Sequence, residues 1–261
     1  MQKVSIITVV YNARELLAKT MESVFAQTYS NIEYVIVDGA SKDGTLKLIE
    51  ENAARISRWV SEPDKGLYDA MSKSLKLATG DFVWFVNAGD LIPESDTLER
   101  IMAKAEPDTD VLYGEVMIVD KDWNPLGTRT ERTTRKLPKV LDWRSMQYGM
   151  VVCHQGFIAR RQLAGPYMEN NWVADLDWVI RILKRSRKNT LVPLIFAEFQ
   201  EGGVSSQKHW ASLKDRYAIL QNHFGFFANL KAHIWVLLRA LFFKLTGNQH
   251  RRNKGTSSEA Q

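Results

Sequence analysis

The sequence is poor in cysteine: Cys153 stands alone among 261 residues. No disulfide framework can form within the chain, and a reducing cytosol suits it. No apolar run reaches the roughly 18 residues that a membrane-crossing helix needs. The start, MQKVSIITVVYN, has no basic region leading to an apolar stretch and a small-residue cleavage site. It reads as a strand rather than a signal peptide. Internal repeats and Cys/His clusters at metal-ligand spacing are missing. No G-x-G-x-x-G follows the first strand, and no G-x-x-x-x-G-K-[ST] occurs anywhere, which disfavours a dinucleotide-binding Rossmann site and a P-loop. Net charge is scarce where a core would be. The total is +5, yet residues 1–200 hold 26 Lys and Arg against 27 Asp and Glu. Residues 226–261 hold Lys231, Arg239, Lys244, Arg251, Arg252 and Lys254 against Glu259. A neutral body with a basic tail argues against nucleic acid as a partner.

What is present is ordinary globular material, 45% hydrophobic and 25% charged, enough for one large domain with a tail. Residues 4–10, 32–38, 59–62 and 82–86 are β-branched or aromatic runs and predict strands. Residues 15–27, 45–54 and 68–78 carry apolar residues at helical spacing. This alternation predicts an α/β fold, a mostly parallel sheet flanked by helices. In the second half, strands are expected at 111–119, 156–160 and 191–199, and helices at 176–183, 210–222 and 230–245. Residues 120–144 read as a long polar excursion, and the sheet is expected to become mixed. The polar end, 248–261, reads as disordered.

In open α/β sheets, ligands bind beyond the carboxyl ends of the strands. Thr8, Tyr11 and Asn12 end the first strand, and Asp38, Gly39, Ser41 and Asp43 the second. The third runs into Glu62-Pro-Asp64-Lys65-Gly66, and the fourth ends in Asn87-Ala-Gly-Asp90. The edge is acidic. Phosphates meet carboxylates through a divalent cation, so this edge suits a metal–diphosphate complex.

The strings SIITVVYN, VDGASKDGT, SEPDKGLYDAMSKS, ATGDFVWFVNAGD, HQGF and ADLDWVIRIL, in this order, resemble the family-2 inverting glycosyltransferases of GT-A fold. Within that family they are similar to bacterial transferases building capsule, O-antigen and colanic-acid repeat units. The resemblance spans about residues 3–205. It implies a nucleotide-binding half near 1–110, an acceptor half near 111–225, and a UDP-sugar donor with Mn²⁺ or Mg²⁺. Thr8, Tyr11, Asp38, Asp64, Lys65 and Asn87 match nucleotide-sugar positions. Tyr11 would stack on uracil or pack on the next helix; Asp38 would accept from the uracil N3–H or serve as a turn residue. Asp43 fits a turn or cap. Asp90 matches the metal-binding carboxylate of the D-x-D-D pattern, although N-A-G-D lacks its other acids. His154, Gln155, Trp172 and Asp177 fall on the acceptor or phosphate side, with a structural histidine as the other reading of His154. Asp175 matches the general base, and Ala174 replaces the Glu usual before it. Asp177 is its rival, and one of the two would cap the helix.

Residues 200–207 read as a mobile loop over the donor or a connector. The tail, 226–261, pairs an apolar stripe with basic residues. It reads as a helix lying on an anionic membrane or packed on the domain. Together these imply a cytoplasmic enzyme peripheral to the inner face of the plasma membrane, with a lipid-diphosphate-linked saccharide as acceptor. The incomplete motifs leave a second reading, a non-catalytic sugar-nucleotide or glycolipid binding module.

Overall fold

The computed structural model describes residues 1–201, 209–236 and 238. The expected loop at 200–207, the end of the tail helix at 239–245 and the polar terminus at 248–261 lie essentially outside these residues. Strands β1 (Val4–Val10), β2 (Ile32–Asp38), β3 (Arg58–Ser61) and β4 (Phe82–Phe85) run parallel in the order β3-β2-β1-β4. All seven residues of β1 are buried. This is why it appears in sequence as a continuous apolar run rather than an alternating one. Helices α1 (Arg14–Phe25), α2 (Thr45–Glu51) and α3 (Leu67–Leu77) connect these strands. α1 buries Leu17, Thr20, Met21 and Val24, one face at helical spacing.

After β4 the sheet becomes mixed. β5 (Asp90–Leu91), α4 (Thr97–Met102), β6 (Val111–Val119), β7 (Pro125–Thr128), α5 (Arg129–Arg132), β8 (Phe157–Arg160), α6 (Ala174–Arg185), β9 (Asn189–Gln200) and α7 (His209–Phe224) follow. β8 lies antiparallel between β4 and β6, β9 is parallel to β6, and β5 forms an antiparallel edge on β9. Two apolar layers sandwich this sheet. Ile7, Val9, Val37 and Phe85 meet α3 and Trp178 of α6 on one side. Ile6, Ile36 and Trp84 meet Leu17 of α1, Ile49 of α2 and Ile101 of α4 on the other.

The excursion at 120–144 is more ordered than expected. It contains β7 and α5, and Thr128 and Glu131 form a reciprocal capping box, with the Thr128 N–H donating to Glu131 Oε2 at 2.8 Å. The T-x-x-E spacing carried that signal. β5 and α4 were not anticipated either, because each is short and lies among polar residues.

At the amino ends of the strands, Glu33 is buried yet charged. Lys3 Nζ donates to it at 3.0 Å, Ser5 Oγ at 2.6 Å and the Thr79 N–H at 2.6 Å. Burial alone would raise its carboxyl. The hydrogen bonds from Ser5, Thr79 and Lys3 outweigh that and hold it at about 2. A folded-state value below the unfolded one contributes stability above the unfolded value, lost as pH falls through the folded one. Glu33→Gln is therefore expected to cost about 2 kcal/mol at pH 7. In urea unfolding, the gap from wild type should narrow as pH drops from about 4.5 towards 2.

The order β3-β2-β1-β4 has a further consequence. From β1 the chain proceeds to β2 on one side and later to β4 on the other. A crevice opens at the carboxyl ends of β1 and β4, where α/β sheets take ligands.

Candidate active site at the carboxyl ends of the strands

Tyr11 follows β1 with its ring 65% exposed. Gly39 follows β2, and a Cβ there would lie 2.5 Å from Asp64 Oδ2 and 3.1 Å from the Tyr11 ring. The loops after β1, β2 and β3 thus converge on Gly39. Gly39→Ala is expected to displace the Asp64 carboxylate at little cost in stability, since a side-chain tip can move. UDP affinity measured by calorimetry should fall about tenfold.

Asp38 is fully buried. Its carboxylate accepts from the Ser41 N–H at 3.1 Å and from the Ser61 hydroxyl at 2.6 Å, and the Ser41 hydroxyl also donates to it. It fixes the loop after β2 to β3. Asp43 accepts from the Arg14 N–H and from Thr45, as a turn residue does. Asp64 accepts from the Gly66 N–H at 2.8 Å, and Lys65 is exposed beside it. Thr8 departs from expectation. It is buried inside the sheet, donating to the Val86 carbonyl at 2.6 Å and bonded to Tyr34 Oη at 3.1 Å. Its hydroxyl joins β1 to β4 and does not line the crevice.

Beyond β4, Asn87 to Asp90 form a tight turn. Gly89 adopts φ +97°, and the Asn87 N–H donates to Asp90 Oδ2 at 3.0 Å. Pairing of β5 with β9 buries Asp90. Gln155 Nε2 reaches both of its oxygens, at 3.2 and 3.3 Å. Burial pushes the Asp90 carboxyl up to about 7, against the pull of the Asn87 N–H and Gln155. Asn87 Oδ1 is buried without a hydrogen-bond partner among the described residues. Gln155 is therefore joined to Asp90 at the end of β4, and its neighbour His154 is not. His154 is buried, with Nε2 bonded to Tyr167 Oη at 2.7 Å and its ring packed on Phe85 and Trp178. Burial lowers it to about 4, more than Asp175 raises it. It is a neutral core histidine.

Asp175 lies in the first turn of α6, half-buried. Oδ1 accepts from Tyr68 Oη at 3.1 Å and from the Leu176 N–H at 3.0 Å. Oδ2 makes no hydrogen bond among the described residues. Burial and the adjacent Asp175 charge raise the Tyr68 phenol well above its ordinary value, so it remains a donor. Asp177, two residues on, has another occupation. It is buried, pairs with Arg181 Nε at 2.6 Å and His223 Nε2 at 2.8 Å, and ties α6 to α7. This departs from an acceptor-side role: residues two apart on a helix face different ways. Trp172 is exposed before α6, and its N–H donates to Asp215 of α7 at 2.8 Å.

Three contributors escaped the sequence reading. Tyr68 is one. The others are Arg129, which donates to the Met150 and Val151 carbonyls, and Arg216 of α7. Burial lowers the Arg216 value while Asp175 raises it and Arg129 lowers it, so the three charges share one neighbourhood. Arg216 makes no hydrogen bond or ion pair among the described residues. The buried thiol of Cys153, pushed up to about 11 by burial, also feels Arg129, Asp90 and Asp175. The charges of Asp90, Asp175 and Arg129 therefore reach Cys153, and those of Asp175 and Arg129 reach Arg216. Nothing in their spacing announces this, because Arg129 sits in the polar excursion and Arg216 on a distant helix.

Among the described residues, no three His, Cys, Asp or Glu side chains cluster as ligands to a metal. Mg²⁺-type cations at phosphate sites use one or two carboxylates, completed by the substrate and water. The Asp90 carboxylate with the unpaired Asn87 Oδ1 fits that requirement.

The mixed sheet with helices on both faces has the GT-A architecture. The model of the family "Glycosyl transferase family 2" matches residues 5–164, and the chain belongs to that family. It is 30% identical over 214 residues to a PGL/p-HBAD biosynthesis glycosyltransferase of Mycobacterium bovis, covering 77% of this chain and 78% of that one. S. aureus TarS 1–349 in complex with UDP-GlcNAc superposes with a TM-score of 0.69 at 19% identity, covering 92% of this chain and 73% of TarS. Glucosyl-3-phosphoglycerate synthase of Mycobacterium tuberculosis, in complex with Mn²⁺, UDP-glucose and phosphoglyceric acid, superposes with a TM-score of 0.60 at 14% identity, covering 85% and 79%. No helix among the described residues is long and apolar enough to cross a membrane.

Proposed function

We propose that the chain is an inverting transferase that moves a sugar from a UDP-sugar to a saccharide hydroxyl in a single displacement. The observation that carries this reading is Asp175. One oxygen is fixed by Tyr68 and the Leu176 N–H, while the other makes no hydrogen bond among the described residues. Asp175 Oδ2 takes the proton of the acceptor hydroxyl as its oxygen attacks C1. The C1–O bond to UDP breaks, the bonding pair leaves with UDP, and the anomeric configuration inverts. Tyr11 and Asp64 bound the nucleotide from either side of Gly39, on the loop that Asp38 holds in place, and Lys65 faces its ribose or diphosphate. Asp90 and Asn87 Oδ1 hold Mn²⁺ or Mg²⁺, which supplies neutralising charge to the diphosphate. Trp172 offers an exposed ring to the acceptor sugar.

The acceptor in this reading is a saccharide linked to a lipid diphosphate. The product serves a surface polysaccharide of the capsule or O-antigen type, and the enzyme works at the inner face of the plasma membrane. The test is to incubate UDP-sugars with Mn²⁺ and a short-chain lipid-diphosphate saccharide, following the anomeric proton by NMR. Inverted product is expected. Retained configuration overturns the mechanism, and UDP-sugar binding without turnover across the panel points to a binding module.

A further inference from the structure

The tail helix packs on the domain and also presents a second face that no described residue covers. Gly225 takes φ +83°, ends α7, and lets a new helix run over residues 226–236. Its inner side is built on α7. Asn229 and Ala232 are buried, Asn229 Nδ2 donates to the Tyr217 carbonyl at 3.1 Å, and the His233 ring lies 5.0 Å from that of Tyr217. Its outer side is apolar. Phe226, Leu230, Ile234 and Leu238 form a ridge at four-residue spacing, flanked by Phe227 and Trp235, all exposed and Phe227 to 84%. A ridge of this extent on a water-facing helix marks a docking surface.

Charge decides the occupant. Exposed Lys231 flanks the ridge, and residues 226–261 carry six basic side chains against one acidic one. A second copy would bring two such positive segments together. An anionic lipid surface would accept the aromatic and aliphatic ridge at its acyl boundary and the basic residues at its headgroups. We propose that residues 226–238 form a membrane-docking helix that lays this ridge into an anionic bilayer surface. Its geometry deepens the proposed transfer, on which its purpose rests. The same α7 that supports the ridge holds the Trp172 N–H through Asp215, three residues before Asp175. The docking helix is thereby joined through α7 to the segment that leads into Asp175.

The experiment floats the full chain with vesicles of phosphatidylcholine alone or mixed with phosphatidylglycerol. Binding to the anionic vesicles and little to the neutral ones is expected, weakening as salt is raised. The double variant Phe227→Ser/Trp235→Ser changes exposed residues only. It is expected to bind anionic vesicles about tenfold less, with an unchanged circular dichroism spectrum and unchanged thermal stabilisation by UDP. The proposal is overturned if wild type stays with the unbound protein, or if the double variant floats equally well. It is also overturned if wild type is a dimer that the variant splits. None of these readouts requires turnover, so an inactive enzyme that floats overturns the proposed function and leaves the docking helix standing.

Discussion

Replacing Asp175 by Asn is expected to lower kcat for sugar transfer by about 10²–10⁴-fold, the usual contribution of a positioned base. Asn keeps the size of the side chain and still accepts from Tyr68 Oη, but it cannot take the acceptor proton. UDP binding should be unchanged, because the Tyr11 and Asp64 loops do not involve α6. The control is Asp177→Asn, two residues along the same helix. It removes the charge that pairs with half-exposed Arg181 and with His223, so it should lower stability by about 2 kcal/mol, the scale of hydrogen bonds to charged groups. Activity per folded molecule should remain within a few-fold of wild type. If Asp175→Asn is fully active, or Asp177→Asn shows the larger loss in kcat, the base has been misassigned. Tyr68→Phe adds a positioning test. The phenol hydroxyl bonds Asp175 and the Trp172 carbonyl and neither Tyr11 nor Asp64, so kcat should fall while the donor KM holds.

Asp90→Asn is the second large effect, and it acts in two directions. In the fold the Asp90 carboxyl stands at about 7, raised by burial, against an unfolded value near 3.9. Ionising it therefore opposes folding. The penalty is absent below about pH 4, grows as pH rises towards 7, and is constant above that. The neutral Asn escapes it, so the variant should be more stable than wild type at pH 8 by about 2–4 kcal/mol. At pH 4 the two should be nearly equal. The same substitution removes the one carboxylate facing the proposed diphosphate site. Mn²⁺-dependent transfer is expected to fall about 10²–10³-fold. The added thermal stabilisation that Mn²⁺ gives in the presence of UDP should vanish. A variant less stable than wild type at pH 8 would contradict the buried-charge account. One that retained Mn²⁺-stimulated activity would place the cation elsewhere.

How far the sequence led depends on how local each feature is. β1, β2 and β6 were placed residue for residue, because strands buried on both faces are continuous apolar runs with abrupt polar ends. Those polar ends located the crevice. The direction of individual side chains within it was less legible. Thr8 and Tyr11 both stand at the end of β1, yet one hydroxyl turns into the sheet and the other ring to solvent, according to neighbours on β2 and β4. His154 and Gln155 are adjacent, and the turn before β8 sends one into the aromatic core and the other to Asp90.

The sequence by itself determined the alternation of strands and helices, the acidic strand ends, the neutral body and the basic tail. Each of these is a property of nearest neighbours and composition. Only the tertiary structure decided that Asp177 is taken up by Arg181 and His223 while Asp175 is held through one oxygen by Tyr68, and that pairing of β5 with β9 buries Asp90. It also decided which side of the tail helix is left uncovered. The reason is physical. A charge takes its character from burial and from partners, and here those partners come from α3, α6, α7 and the turn before β8, far apart in the chain and brought together only by the fold.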